Sequence, residues 1–476
     1  MSKLDRNGYK IKKKDLSTKD INDIKKELTV NPFTFNDFQT KVEKRFSLYL
    51  ESPNKLYLPR FYAQDKLGEA TKNELTKGDP ISISFNGSLR SEQEPIVEKY
   101  MDAATKKGGG IISLQCGGGK TVLTLWIIAL LKVKTIVVVH KDFLMTQWRD
   151  RIQEFLPEAR IGKIQQGTID IENKDIVLAM VQSLSMKEYE SDVFSSFGLA
   201  VFDECHHLGA EVFCRSLPKV ATYYMLGLSA TPNRKDGLRK VFEWYLGDIV
   251  YESKEKNNDY IEVKIYEYSH KSIDYNKEEV LFNGKQCMPR MINNICSFEP
   301  RFHFINSLLR DLHKEGRKIL ILSDRRDYLN NTLEWINENI CPSGLYVGGM
   351  KPYELRESQE KDIILGTFSM ASEGMDIPKL NTIILASPKS DVVQSVGRIM
   401  REKADKRKFH PLIIDIRDSH PNLTVFEKQS DKRITFYKKQ NYDIHLHNLD
   451  GSVEKIEKRK KKKKQDYFET NEYLLD

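Results

Sequence analysis

The chain has 476 residues, 39% of them hydrophobic and 30% charged, enough for two or three domains with sizeable cores. No run of about 20 apolar residues occurs, and the N-terminal "MSKLDRNGYKIKKKDLSTKD" has no signal-peptide core, so a membrane span and secretion are both excluded as expectations. The net charge is +8, but the lysine-rich run "KRKKKKK" at Lys458–Lys464 supplies seven of those charges, so pI alone is weak evidence for a polyanion partner.

Residues 1–75 read as a small α+β module. Ser17 or Thr18 caps a helix that carries Ile21, Ile24 and Leu28 on one face. "FSLYLESPNKLYLPRFY" alternates around Ser52-Pro53-Asn54 as a β-hairpin. "TKGDPISISFNGS" reads as the linker that follows.

From residue 85 to 255 short apolar strands alternate with helical stretches: "GIISLQ", "TIVVVH", "IVLAM", "LAVFDE" and "YMLGLS". Near-continuous apolar runs are strands buried on both faces, hence a parallel sheet in an α/β domain. A less regular, charged segment at 256–300 reads as a linker. The alternation returns over 301–425 with "KILILS", "LYVGG", "DIILGTF", "NTIILAS" and "PLIIDI". Residues 426–476 read as a basic, partly disordered tail. Six widely spaced cysteines without a CxxC pair indicate reduced thiols in a soluble intracellular protein.

"IISLQCGGGKTVLTLWIIALL" places a glycine-rich turn between a strand and a helix, the setting of a phosphate loop. Gln115, Cys116, Gly117, Gly118 and Gly119 curl so that backbone N–H groups face a phosphate, and the helix N-terminus adds its positive end. Lys120 neutralises the β- and γ-phosphates of ATP and the Thr121 hydroxyl ligates Mg²⁺. Leu114 stands where the strict pattern has its first glycine.

"LAVFDECHHLGAEVFC" (199–214) sets two cysteines and two histidines near two carboxylates. Adjacent Cys205-His206-His207 with Cys214 fits zinc spacing poorly. Asp203, at the end of a parallel strand beside the phosphate loop, suits Mg²⁺ through its water shell, and Glu204 suits activation of the attacking water. In "GLSATPNRKDG", Ser229 and Thr231 are small hydroxyls at another strand end. "DVVQSVGRIMRE" reads as a helix with Gln394, Arg398 and Arg401 on one face, and arginines there stabilise charge on a transferring γ-phosphate. Gly374 and Asp376, in "GTFSMASEGMDIP", end a strand and loop facing nucleotide and nucleic acid.

In order along the chain these elements resemble the superfamily 2 helicases. "LRSEQ" (89–93) resembles their adenine-side element, with Arg90 and Gln93 the matching positions. "CGGGKT" resembles motif I, "VVVHKDFLMTQW" motif Ia, and "VQSL" (181–184) the next nucleic-acid contact. "DECH" resembles the DExH box, "SAT" motif III, "LSDRRDYL" motif IV, "GTFSMASEGMDIP" motif V and "QSVGRIMR" motif VI. "LGLSATPNRKDGLRKVFEWYLGDIVYE" looks most like the XPB-like, phage UvsW-like, poxvirus and giant-virus transcript-release group, although Arg234-Lys235-Asp236 departs from the XPB-like Arg-Glu-Asp.

The resemblance implies two tandem RecA-like domains with parallel sheets and helices on both faces, ATP and Mg²⁺ bound between them, and the small α+β module in front. It implies Lys120 and Thr121 on phosphate and metal, Asp203 and Glu204 on Mg²⁺ and water, and Arg398 and Arg401 as arginine fingers. It also implies that His206 and Ser229–Thr231 couple hydrolysis to closure. The expected activity is that of an ATP-dependent helicase or translocase on DNA in transcription, recombination or repair; an RNA helicase is the alternative. Expected partners are DNA or RNA and transcription machinery, with no membrane. If the source is viral, the expected location is a host cytoplasmic replication site or the virion.

Overall fold

The computed structural model describes residues 2–30, 45–114, 118–190, 192–205, 214–230, 239–253, 260–373, 375, 377, 379–400, 402 and 407–457. It divides into two compact units, Met1–Glu255 and Lys256–Asp476.

The first unit is built on an eight-stranded sheet. Its order is Thr168–Asp170, Ile161–Gln165, Ile176–Met180, Thr135–Val139, Leu199–Phe202, Tyr224–Ser229, Gly109–Ser113 and Ile249–Glu252. All neighbours are parallel except the outermost Thr168–Asp170. Thr135–Val139, Leu199–Phe202 and Gly109–Ser113 are buried at every position. Side chains alternate between faces along a strand, so Ile112 and Val137 enter one apolar cluster while Ile111, Ile136 and Val138 enter another. Helices cover both faces, which is why the strands carry apolar residues without a polar alternation.

The N-terminal module belongs to this unit. Its sheet runs Leu50–Glu51, Lys55–Leu58, Gly8–Lys12, Lys3–Asp5 and Lys72–Asn73. The expected hairpin closes at Ser52, whose N–H donates to Lys55 O at 2.9 Å. Ser17 caps helix Thr18–Glu27 in a reciprocal box with Asp20. The module is seated by shared apolar packing: Leu28, Leu48 and Tyr62 cluster with Cys214 and Val241, and the Tyr62 and Trp244 rings meet edge to face at 5.4 Å. Arg60 donates to Tyr223 O at 2.8 Å and to Lys107 O at 2.8 Å. Both carbonyls lie just before strand N-termini, so this attachment is at the edge of the large sheet opposite the phosphate loop. The segment expected as a linker is packed down as well, with Ile81 and Ile83 buried in the core of the large sheet.

The second unit repeats the plan. Its order is Gly344–Tyr346, Ile363–Gly366, Ile319–Leu322, Thr382–Leu385, Leu412–Asp418, Glu262–Tyr268, Asp443–His447 and Val453–Lys455. Only the last strand is antiparallel to its neighbour.

Two stretches differ from the sequence expectation. The segment 256–300 is no simple linker: its residues Glu262–Tyr268 form an internal strand, followed by helices Ile273–Asn276 and Met288–Ser297. Residues 426–457 are no loose tail either. Helix Thr424–Lys439 buries Phe426 and Tyr437, and two further strands extend the sheet. The physical reason is a buried ion pair: Arg433 of that helix grips Asp415 at 2.8 and 2.6 Å. The lysine run lies outside the described residues. Among the described residues, no helix is long and apolar enough to cross a membrane. The architecture is that of two tandem RecA-like domains.

Candidate active site

Three adjacent parallel strands, Gly109–Ser113, Tyr224–Ser229 and Leu199–Phe202, end side by side, with Ser113 opposite Ser229 and Gly227 opposite Phe202. The loops leaving them carry the phosphate-loop, "SAT" and "DECH" residues. Carboxyl ends of parallel strands are where open α/β sheets bind ligands.

Gly119 caps helix Lys120–Leu131 with φ +77°, a left-handed conformation that favours glycine. A side chain there would also drive into the Gln93 amide. Gln93 is buried and accepts from Arg90 N–H at 3.1 Å, while its own amide reaches Gly118 O at 3.4 Å. The adenine-side element and the phosphate loop are thus brought together, and Arg90 is exposed.

Lys120 opens the helix, and its ammonium lies 2.9 Å from Glu204 Oε1. The other Glu204 oxygen accepts from Ala230 N–H at 3.3 Å, joining "DECH" to "SAT". Glu204 has φ +48°, uncommon for a residue with a side chain. Left-handed backbone of this kind concentrates at functional sites. It lets Glu204 N–H donate to Asp203 Oδ1 at 3.0 Å, while the second Asp203 oxygen accepts the Trp148 indole N–H at 2.9 Å. Burial, and then the neighbouring Glu204 charge, push the Asp203 carboxyl above its usual range; Lys120 and the Trp148 bond pull it back.

This donor set fits a hard divalent cation. A carboxylate that is desolvated and repelled by a second carboxylate gains from a bound positive charge, and the Thr121 hydroxyl at the head of the facing helix is an oxygen ligand of the right kind. The cysteines belong elsewhere. Cys205 is buried in an apolar cluster with Phe202 and Phe242, where burial raises its thiol, and Cys214 lies in the N-terminal module's cluster with Leu28 and Leu48. Ser229 is fully buried, and its carbonyl accepts Leu114 N–H at 2.9 Å.

In the second unit, the expected helix over 391–402 is shorter and tighter. Helix Val393–Val396 passes into a 3₁₀ turn at Gly397–Met400, so Gln394 and Arg398 do not share one continuous α-helical face. Arg398 is buried and donates to Ala371 O at 2.6 Å and Met375 O at 3.0 Å. It thereby joins the backbone at Ala371 to that at Met375. Gln115, Cys116, Gly117, His206, Thr231, Gly374, Asp376 and Arg401 lie outside the described residues.

Sequence reasoning missed Trp148 as a partner of Asp203. Its place among Leu144, Met145 and Ile152 on the buried face of helix Asp142–Phe155 marks it only as core. The available signal was chemical: a buried indole N–H needs an acceptor.

Two family descriptions match the chain: "Type III restriction enzyme, res subunit" over residues 86–234 and "Helicase conserved C-terminal domain" over 301–403. The putative ATP-dependent RNA helicase L396 of Acanthamoeba polyphaga mimivirus is 35% identical over 99% of this chain and 90% of its own length. The putative helicase 161L of Invertebrate iridescent virus 6 is 27% identical over 75% of this chain and 83% of its own. The DNA 3'-5' translocase XPB2 of Sulfurisphaera tokodaii is 36% identical over 40% of this chain and 42% of its own. The chain therefore belongs to the superfamily 2 helicases, in the group that includes XPB-like and giant-virus members, and is a nucleic-acid-dependent ATPase that works as an ATP-dependent helicase.

Proposed function

We propose that the chain is a DNA helicase or translocase of transcription, recombination or repair, which tracks along one strand while hydrolysing ATP. The observation that carries the hydrolytic reading is the set Lys120, Glu204 and Asp203, joined by direct bonds at the ends of adjacent strands. Lys120 and the phosphate-loop N–H groups bind the β- and γ-phosphates. A γ-phosphate competes with Glu204 for the Lys120 ammonium, and the carboxylate so released accepts a proton from water. Thr121 and Asp203 would hold Mg²⁺, which would supply charge neutralisation on the phosphate oxygens. Arg398 and Arg401 are the guanidiniums assigned to the transferring phosphate, and Arg398 also donates to two carbonyls of its own unit.

The choice of DNA rests on the 36% identical stretch shared with a DNA translocase. The RNA reading has its own support in the name of the mimivirus relative. The test is ATPase activity with single-stranded DNA, duplex DNA and RNA in parallel, followed by unwinding of tailed duplexes. Stimulation and unwinding by DNA are expected, and stimulation by RNA alone would overturn the choice. Binding through phosphates should weaken steeply as salt rises and vary little with sequence.

A further inference from the structure

Trp148 stands on an element that the resemblance assigns to nucleic-acid contact, yet its polar atom faces the hydrolytic centre. Strand Thr135–Val139 lies between Ile176–Met180 and Leu199–Phe202 in the sheet. The ends of these three strands therefore form a row. At one end of the row, Gln182 of "VQSL" donates its amide to His140 O at 2.8 Å. In the middle, Asp203 N–H donates to Val138 O at 3.0 Å. From above, helix Asp142–Phe155 lowers Trp148 onto Asp203 Oδ2 at 2.9 Å. Asp203 Oδ1 holds the Glu204 N–H, and Glu204 holds Lys120. A continuous set of bonds thus runs from both nucleic-acid-contact motifs of this unit to the phosphate lysine.

The Trp148 bond is the narrow point of that set. Trp148 is 2% exposed and its ring is wedged in the main apolar cluster, so the indole moves only with its helix. The indole N–H reaches Asp203 Oδ2 at 2.9 Å, and a donor so fixed sets the rotation of the carboxylate. A displacement of the helix by a fraction of an ångström therefore turns Asp203, and, through the Glu204 N–H, the hydrolytic residue beside it. Under the proposed function, phosphates seated at the helix N-terminus, beside Lys141, would pull on this same helix.

We propose that Trp148 is a positioning residue that couples nucleic-acid binding to hydrolysis, by transmitting the seating of a strand on helix Asp142–Phe155 to the Asp203 carboxylate. The inference rests on the proposed function for the contact between that helix and nucleic acid. The test reads coupling itself.

The experiment uses the full chain carrying Trp148→Phe, which keeps an aromatic ring in the core and removes the N–H. KM for ATP and the affinity for a single-stranded DNA oligonucleotide should stay within about twofold of wild type. The ratio of DNA-stimulated to unstimulated kcat should fall by about fivefold or more, the lower end of ordinary coupling free energies. An unchanged ratio, or an equal fall in both rates, would show a structural role only and overturn the proposal. A second measurement leaves Trp148 in place. In a Trp126→Phe, Trp244→Phe, Trp335→Phe chain the emission of the lone indole should shift when the oligonucleotide is added without nucleotide. No shift, with the oligonucleotide bound, overturns the proposal even where Trp148→Phe does not fold. If wild type is stimulated by neither DNA nor RNA, the proposed function fails, independently of Trp148.

Discussion

The two units share one plan, but they place their charged pairs differently. In the first, Lys120 and Glu204 meet at the strand ends with 12% and 17% of their side chains exposed. In the second, Arg301 with Asp418 and Arg433 with Asp415 are sealed, none above 2% exposed. Arg301 forks onto both Asp418 oxygens at 2.6 and 2.8 Å and reaches Ala386 O at 2.9 Å, while Tyr275 donates to Asp418 Oδ1 at 3.0 Å. In the proposed mechanism the Lys120–Glu204 pair exchanges its partner for a phosphate, and it is kept within reach of solvent. A pair that must never exchange is buried and forked. On the proposed function, the difference separates charge used for chemistry from charge used to fix the fold.

The largest effect should come from the exchanging pair. Glu204→Gln keeps the shape but removes the base, so kcat should fall about 10³-fold while ATP still binds, with thermal stability near wild type. Activity above about a tenth of wild type would show that Glu204 does not take the proton. The sealed pairs should answer the other way. Arg301→Met strands a buried Asp418 and should cost about 3–5 kcal/mol in urea unfolding. Arg301→Met with Asp418→Leu should recover much of that loss, because the unpaired charge is the main penalty. If the single variant unfolds like wild type, the distinction between the units is lost. A smaller effect belongs to Tyr437, whose hydroxyl donates to Asp415 Oδ2 at 2.9 Å. Tyr437→Phe should cost about 1 kcal/mol and leave ATPase unchanged.

These pairs also mark what the sequence makes legible. "IVLAM" and "YMLGLS" are strands with the expected ends, Ile176–Met180 and Tyr224–Ser229, because two-sided burial demands unbroken apolar runs. Glu262–Tyr268 escapes that rule. Its burial alternates along the first half and its remaining residues are only part-buried, so its sequence is mixed although it is an internal strand. Helix Thr424–Lys439 escapes it too, because it turns a serine and an arginine inward, and Ser430 and Arg433 read as surface until Asp415 is seen opposite. At the site, Lys120, Asp203 and Glu204 were legible because each follows an apolar strand within a few residues. The Trp148 bond to Asp203 spans 55 residues and leaves no local pattern.

A last pair of substitutions tests whether the cysteines of "LAVFDECHHLGAEVFC" belong to chemistry or to packing. Cys205 sits among Phe202, Leu246 and Met225 beneath the strand ends, and Cys214 among Leu28, Leu48 and Val241 under the N-terminal module. The two thiols thus fill two separate apolar clusters. Burial raises the Cys205 thiol, and the protonated form is neither a good nucleophile nor a metal ligand. Cys205→Ala with Cys214→Ala removes both sulfurs without burying a hydroxyl. ATPase should stay within about twofold of wild type, and stability should fall by about 1 kcal/mol per site, as for small losses of core volume. Metal analysis of the purified wild-type chain sharpens the result. Stoichiometric zinc that disappears in the double variant would return these residues to the site's chemistry; zinc absent from both, with ATPase retained, leaves the metal role of this stretch to Asp203 alone.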